Sequence, residues 1–155
     1  MNNIVIREAV PQDLPTLLDF EQQLISAERP LDVTMRTQHF HYYDIGKMIT
    51  DPEAAVVVAE LDGRLIASGH AVIREAKAYN RFDKYAFLGF QFTVPDQRGK
   101  GVNQLILNAL VEWAKLKQLD EVRLQVYDEN VPAVAAYEKV GFKKILTEMR
   151  LTVPF

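Results

Sequence analysis

The chain has no cysteine. That excludes disulfides, a thiol nucleophile and a cysteine-based zinc site. It also lacks any apolar run near the roughly 20 residues that cross a membrane, so no membrane partner is expected. No sign of charge dominates: 18 Lys and Arg face 21 Asp and Glu, for a net charge of −3. A general nucleic-acid binder shows a basic stripe, and its absence argues against a nucleic-acid partner. Histidine is scarce, with only His39, His41 and His70. Two of these alternate in "HFH", but no third ligand lies nearby in sequence, so no metal is expected. The start "MNNIVIREAV" carries an early acidic residue and no long apolar run, unlike a secretory leader. A cytoplasmic location is the expectation.

What is present is enough apolar material for one core: 48% of 155 residues are hydrophobic. One domain spanning residues 1–155 is expected. Ile4 to Arg7 reads as a strand. A helix follows from Pro11, with Leu14, Leu17, Leu18, Leu24 and Ile25 on one face. Thr34 to Ile49 reads as a second, weakly patterned helix. "AAVVVAEL" and "RLIASGHAVI" form a hairpin about the Asp62–Gly63 turn. "YAFLGFQFTV", Tyr85 to Val94, is an aromatic-rich strand, in which Gly89 would permit a bulge or a close backbone approach, or would pack under an aromatic neighbour. The helix after residue 101 is expected to bury Val102, Leu105, Ile106, Ala109, Leu110 and Trp113. Glu121 to Tyr127 is a strand, "NVPAVAAYEKV" a short helix stopped by Gly141, and "FKKILTEMRLTV" one or two final strands.

"TVPDQRGKGVNQLIL" is the stretch that carries chemistry. A strand that passes through a glycine turn into a helix presents free N–H groups at the positive end of the helix dipole. That suits an anion, phosphate above all. A nucleotide P-loop would need Gly-Lys-Ser/Thr in sequence, and Lys100 instead lies between Gly99 and Gly101. A dinucleotide fingerprint would need a third glycine where Gln104 stands. A pyrophosphate loop of the acyl-CoA type remains, beside the plain reading of a Gly-rich turn before an ordinary helix.

The loop together with "NVPAVAAYEKVGF" resembles the GCN5-related N-acetyltransferase (GNAT) family. Arg98, Gly99 and Gly101 match its R-G-x-G loop. Asn130, Ala133, Tyr137, Gly141 and Phe142 match its second motif. The order of elements also fits over essentially the whole chain. The resemblance implies an α+β, three-layer fold: a mixed, mostly antiparallel central sheet with helices on both faces. It implies acetyl-CoA as co-substrate, bound by Arg98, Gly99, Lys100, Gly101, Val102, Asn103 and Gln104. Main-chain groups of Phe92, Thr93 and Val94 would pair with the pantetheine arm. Asn103 departs from the small residue usual there, although its amide can donate hydrogen bonds. Asn130 caps its helix on the plain reading, and the resemblance adds a contact to the CoA arm. Tyr137 would protonate the leaving thiolate as general acid; its plain reading is a packing residue.

An amine must lose a proton before it attacks, and relatives often place a glutamate base on the strand before the loop. Tyr85 to Val94 holds no carboxylate. Glu21, Glu28 and Glu75 are the candidates. Glu21 is the odd one, since it lies at the centre of an apolar stripe. Glu28, His39 and Tyr42 are candidate acceptor-binding residues. Glu28, Asp32 and Asp44 give their region an acidic cast that suits a cationic acceptor, whether a small molecule or a peptide amine. The expected activity is acyl transfer to a primary amine by direct attack, because no cysteine exists to carry the acyl group. A CoA-binding module without chemistry is the alternative, and an interaction protein with an incidental loop is a third reading. Two copies could pair through the final strands as a homodimer, which the sequence itself does not show.

Overall fold

Six consecutive residues, Ala54 to Ala59, are buried. A strand buried at alternate residues has one wet face, whereas one buried throughout is covered on both. This strand, β2 (Ala54–Leu61), therefore lies in a middle layer. The computed structural model describes residues 3–154. β2 pairs antiparallel with β1 (Ile4–Glu8) and with β3 (Arg64–Glu75). β4 (Lys84–Thr93) is antiparallel to β3, and β5 (Val122–Leu124) runs parallel to β4. The sheet order is β1-β2-β3-β4-β5. The α-helices are α1 (Leu14–Glu28), α2 (Ile45–Thr50), α3 (Val102–Leu116) and α4 (Val131–Val140).

Two neighbouring residues of β3 separate the faces of the sheet. A Cβ added to Gly69 would meet Ile106 of α3 at 2.6 Å. The next side chain, His70, points the other way. There it packs edge-on against Tyr43, with ring centroids 4.5 Å apart. α1 covers that second face, where Phe20 packs on Phe92 of β4 at 4.9 Å. Helices thus flank a mixed, mostly antiparallel sheet, giving an α+β fold in three layers.

Several sequence expectations change. α3 buries Val102, Ile106, Leu107, Leu110 and Ala114, while Leu105 is 41% exposed. The helix expected over Thr34 to Ile49 is reduced to α2, which Asp44 caps by accepting from the Lys47 N–H at 3.2 Å. The residues before it cannot coil, because the backbone of Tyr42 and Tyr43 is bonded to Glu21 of α1. The strand expected over Glu121 to Tyr127 pairs for only three residues. The final strands do not form: residues 143–154 are irregular. A strand needs a paired neighbour, and none is supplied among the described residues.

His70 is buried and its Nδ1 has no hydrogen-bond partner. It sits where Gly89 leaves room, since a Cβ on Gly89 would lie 2.6 Å from its Cε1. Burial pushes the imidazole down to about 4, so it is neutral in the fold. A depressed group contributes stability above its unfolded value, about 6.5, and loses that contribution as pH falls toward its folded value. His70→Gln should therefore lose less stability than wild type between pH 7 and pH 4.5, by about 2–3 kcal/mol. Urea denaturation at the two pH values checks this; equal losses would contradict it.

Candidate active site

β4 and β5 pair only from Ala86–Val122 to Leu88–Leu124. β4 runs on to Thr93, so beyond Leu88 its outer edge has no strand beside it among the described residues. The strands part at an irregularity. The β3–β4 register shifts between Ser68 and His70, and Phe90 takes a positive φ of 58°. A phenylalanine in that region is strained and needs support from its surroundings. Ser68 Oγ donates to the Phe90 carbonyl at 3.1 Å. The Phe90 N–H donates to the Tyr43 hydroxyl at 3.1 Å. Gln91 Nε2 donates to the Gly89 carbonyl at 3.1 Å.

The glycine loop lies beyond the end of the same strand. Gly99 and Gly101 have φ of 75° and 82°, where any other residue is strained. Gly101 is the N-cap of α3 and supplies no capping side chain. The first N–H bonded within the helix is that of Leu105, to the Gly101 carbonyl at 3.4 Å. The N–H groups of Val102, Asn103 and Gln104 precede it at the positive end of the helix. Val102 is buried under the loop, Asn103 is half-buried, and Lys100 and Gln104 are exposed. Arg98 does not stand free at the rim. Its Nε donates to the Thr93 carbonyl at 2.9 Å, and its guanidinium lies 5.6 Å from the Phe92 ring. The Val94 N–H is turned inward to the Ile66 carbonyl at 2.9 Å.

The three candidate bases have different surroundings. Glu75 is exposed and pairs in register with Lys84, at the far end of β4. Six strand residues, about 20 Å, separate that end from Phe90. Glu21 is fully buried and both of its oxygens are engaged. Oε1 accepts from His41 Nδ1 at 2.6 Å, and Oε2 accepts from the N–H groups of Tyr42 and Tyr43 at 2.9 and 3.0 Å. Glu28 is partly buried and accepts one bond, from the Tyr42 hydroxyl at 2.8 Å. Burial pushes its carboxyl above the usual range, partly offset by that bond.

Glu28 draws a cluster together. Its charge helps to raise the hydroxyls of Tyr43, Tyr127 and Tyr137. Tyr137 is pushed up to about 12, first by burial and then by Glu28. α4 holds Tyr137 in place: Asn130 caps it by accepting from the Ala133 N–H at 3.4 Å, and Phe142 packs against the Tyr137 ring at 6.0 Å. Tyr42 and Glu28, both candidates from the sequence, are brought together by that bond. His39 is exposed and contacts His41 edge-on at 4.9 Å. Sequence reasoning missed Tyr43 and Tyr127 as members of the cluster. Tyr127 donates to Asp32 at 3.0 Å. The only signal for Tyr43 was its place in the aromatic run "HYY".

The family model for the acetyltransferase (GNAT) family matches residues 19–142. The chain belongs to the GNAT family. The GNAT relative YobR of Bacillus subtilis (strain 168), an uncharacterized N-acetyltransferase, is 38% identical over 63 residues. That match spans 41% of this chain and 26% of that protein. A mutant BH1408 protein from Bacillus halodurans superimposes with a TM-score of 0.86 at 20% identity, covering 97% of this chain and 99% of that one. A predicted acetyltransferase from Clostridium acetobutylicum, solved with acetyl-CoA, gives 0.70 at 19% identity, covering 96% of each chain. At these identities the likeness is one of fold. Among the described residues no cluster of His, Asp and Glu could hold a metal, and no helix is long and apolar enough to cross a membrane.

Two outcomes follow from this geometry. Glu21→Leu leaves the Tyr42 and Tyr43 N–H groups without acceptors, and should cost about 2–4 kcal/mol in urea unfolding. A loss below about 0.5 kcal/mol would mean that water replaces the carboxylate. Gly101→Val places a β-branched residue at positive φ, in open space. It should abolish binding of CoA by calorimetry while the protein stays folded. Unchanged affinity would remove the loop from the binding site.

Proposed function

We propose that the protein transfers an acetyl group from acetyl-CoA to a primary amine, by direct attack in a ternary complex. The observation that carries this reading is the placement of Glu28 and Tyr137. Glu28 bonds Tyr42, whose neighbour Tyr43 takes the Phe90 N–H where β4 and β5 part, and Tyr137 stands on α4 with its ring against the core. The pyrophosphate of acetyl-CoA would lie on the N–H groups of Gly101 to Gln104, with Gly99 giving clearance and Lys100 adding charge. The pantetheine arm would follow the unpaired edge of β4 past Phe92 and Thr93. Asn130 would reach the arm from α4 while its Oδ1 caps the helix.

The amine nitrogen attacks the thioester carbonyl carbon; the C–N bond forms and the C–S bond breaks. The amine gives up a proton to Glu28, whose raised affinity for protons suits a base. The departing thiolate takes a proton from Tyr137, which holds its own at neutral pH. No cysteine is present to carry the acyl group. The acceptor would be a small-molecule or peptide amine. Glu28 favours a cationic one; of the other two acids read there, Asp32 is paired with Arg150 and Asp44 caps α2.

Release of free thiol from acetyl-CoA with a panel of amines tests the activity. A protein that binds CoA and releases no thiol with any amine would be a binding module only. Tyr137→Phe keeps the ring and deletes the proton donor. It should lower kcat and kcat/KM together by roughly 10²–10³-fold, with little change in acetyl-CoA affinity. Single-turnover rates within twofold of wild type would end the role of Tyr137. Glu28 must be ionised to act as base, so activity falls as pH drops through its raised value. In wild type the acid limb of kcat/KM should lie above the ordinary carboxylate value of about 4.3. Glu28→Gln should remove that limb and slow turnover. An unchanged limb would point to another base.

A further inference from the structure

The face of the sheet that holds His70 continues past it toward the β3–β4 turn. The register of these strands is regular from His70–Gly89 to Glu75–Lys84, so Val72 and Arg74 of β3 lie on the His70 side. A Cβ on Gly89 would point at His70, so Phe87 and Tyr85 of β4 share that side. Phe87 pairs with Arg123, which places that residue of β5 there too. Two guanidiniums and two rings therefore meet on one face, and they cross diagonally. The Arg74 guanidinium lies 3.7 Å from the centre of the Phe87 ring, and that of Arg123 lies 4.4 Å from the centre of the Tyr85 ring.

A guanidinium held over a ring gives up freedom of movement but none of its N–H donors, which suits it to grip a carboxylate. Arg123 spends its Nε on Glu121. Arg74 is exposed, and no ion pair among the described residues includes it. The charge around it has the same sign. Residues 74–84 carry Arg74, Lys77, Arg81 and Lys84 against Glu75 and Asp83, in a chain whose net charge is −3. Glu75 points to the other side of β3 and pairs in register with Lys84. The charge of Arg74 also reaches the bulge: burial is the first cause that lowers the proton affinity of His70, and Arg74 lowers it further. Packing accounts for rings beneath the guanidiniums. It does not account for a basic cluster short of acids, on the same face as the Phe90 bulge.

We propose that Arg74, supported by Arg123, forms a subsite for a carboxylate of the acceptor, so that the acceptor carries an amine and an acid on one molecule. This rests on the acyl-transfer reading and deepens it. The amine end is set by Glu28 and the Phe90 bulge. Phe87 lies two strand residues from Gly89, about 7 Å, and Tyr85 four, about 13 Å. An α-amino acid, with its amine and carboxylate on one carbon, is too short to reach both ends. An ω-amino acid is long enough, and so is a peptide with an acidic side chain two residues after its N-terminus. Arg74 is then a specificity-determining residue, which holds the acceptor away from the reacting atoms and moves no proton.

Thiol release from acetyl-CoA is measured with two matched pairs of acceptors: ε-aminohexanoate against its amide, and a tripeptide amide ending in glutamate against one ending in glutamine. Within a pair only the acid differs. The wild type should prefer the acid by about tenfold in kcat/KM in at least one pair. The difference should lie in KM, because a contact made equally in the ground and transition states leaves kcat alone. The pair that shows it tells an ω-amino acid from a peptide. Arg74→Gln keeps a polar side chain without the charge and should erase the preference; Arg74→Lys should restore part of it. Equal use of acid and amide in both pairs, or a preference that survives Arg74→Gln, would overturn the proposal. A second readout needs no catalysis. In ¹⁵N spectra, the Arg74 Nε–H resonance should shift with an acid acceptor and not with its amide. That shift without thiol release would keep the subsite and remove the acyl transfer. Thiol release with no such shift from either acid would keep the transfer and remove the subsite.

Discussion

A carboxylate taken out of water must be given hydrogen-bond donors or it destabilises the fold. Glu21 is such a group, at the centre of the apolar face of α1, and three donors reach it. All three belong to His41, Tyr42 and Tyr43. The irregular segment before α2 is therefore fixed to α1 by its own backbone. Two side chains of that segment then fall where the chemistry is proposed: Tyr42 on Glu28, and Tyr43 on the amide of Phe90. The Glu21 anchor fixes the backbone from which both tyrosines reach these partners.

The second constraint is the early end of the β4–β5 pairing. Parallel strands that separate after three residues leave one edge of β4 open for an extended ligand arm. The bulge at Gly89 and Phe90 lies at the point of separation, supported by Ser68 beneath it and Tyr43 above it. His70 fills the space that Gly89 leaves. The glycine loop continues from the same strand, so the start of α3 and the open edge of β4 share one element of the chain. Arg98 ties the two together by donating to the Thr93 carbonyl.

Much of this was legible in the sequence, for identifiable reasons. β2 and β3 follow a long apolar run about an Asp-Gly turn, a purely local signal. The loop glycines at residues 99 and 101 are residues that take positive φ without steric cost, and both do. Gly89 read either as permitting a bulge or close approach or as a packing glycine under an aromatic neighbour; a register shift lies beside it, and His70 packs over it. Asn130 read as a cap and caps. What stayed hidden depends on contacts distant in sequence. Glu21 was conspicuous as a carboxylate in an apolar stripe, but nothing local said that a loop some twenty residues on would satisfy it. For the same reason a helix was expected over Thr34 to Ile49, where backbone bonds to Glu21 hold the chain irregular. The final strands were expected from their alternation, and the alternation is there. Their partner is not, and pairing cannot be read from one strand alone.

The central claim is that the α3 N-terminus and the open edge of β4 form one continuous acetyl-CoA site. Backbone amide NMR of the uniformly ¹⁵N-labelled chain, titrated with acetyl-CoA, tests it most directly. The account predicts the largest shifts at Gly99, Gly101, Val102, Asn103 and Gln104, extending along β4 through Phe92 to Phe90. β1, at the opposite edge of the sheet, should be silent. Saturating acetyl-CoA that leaves the Gly101 and Phe90 amides unmoved, or moves them less than those of β1, would contradict it.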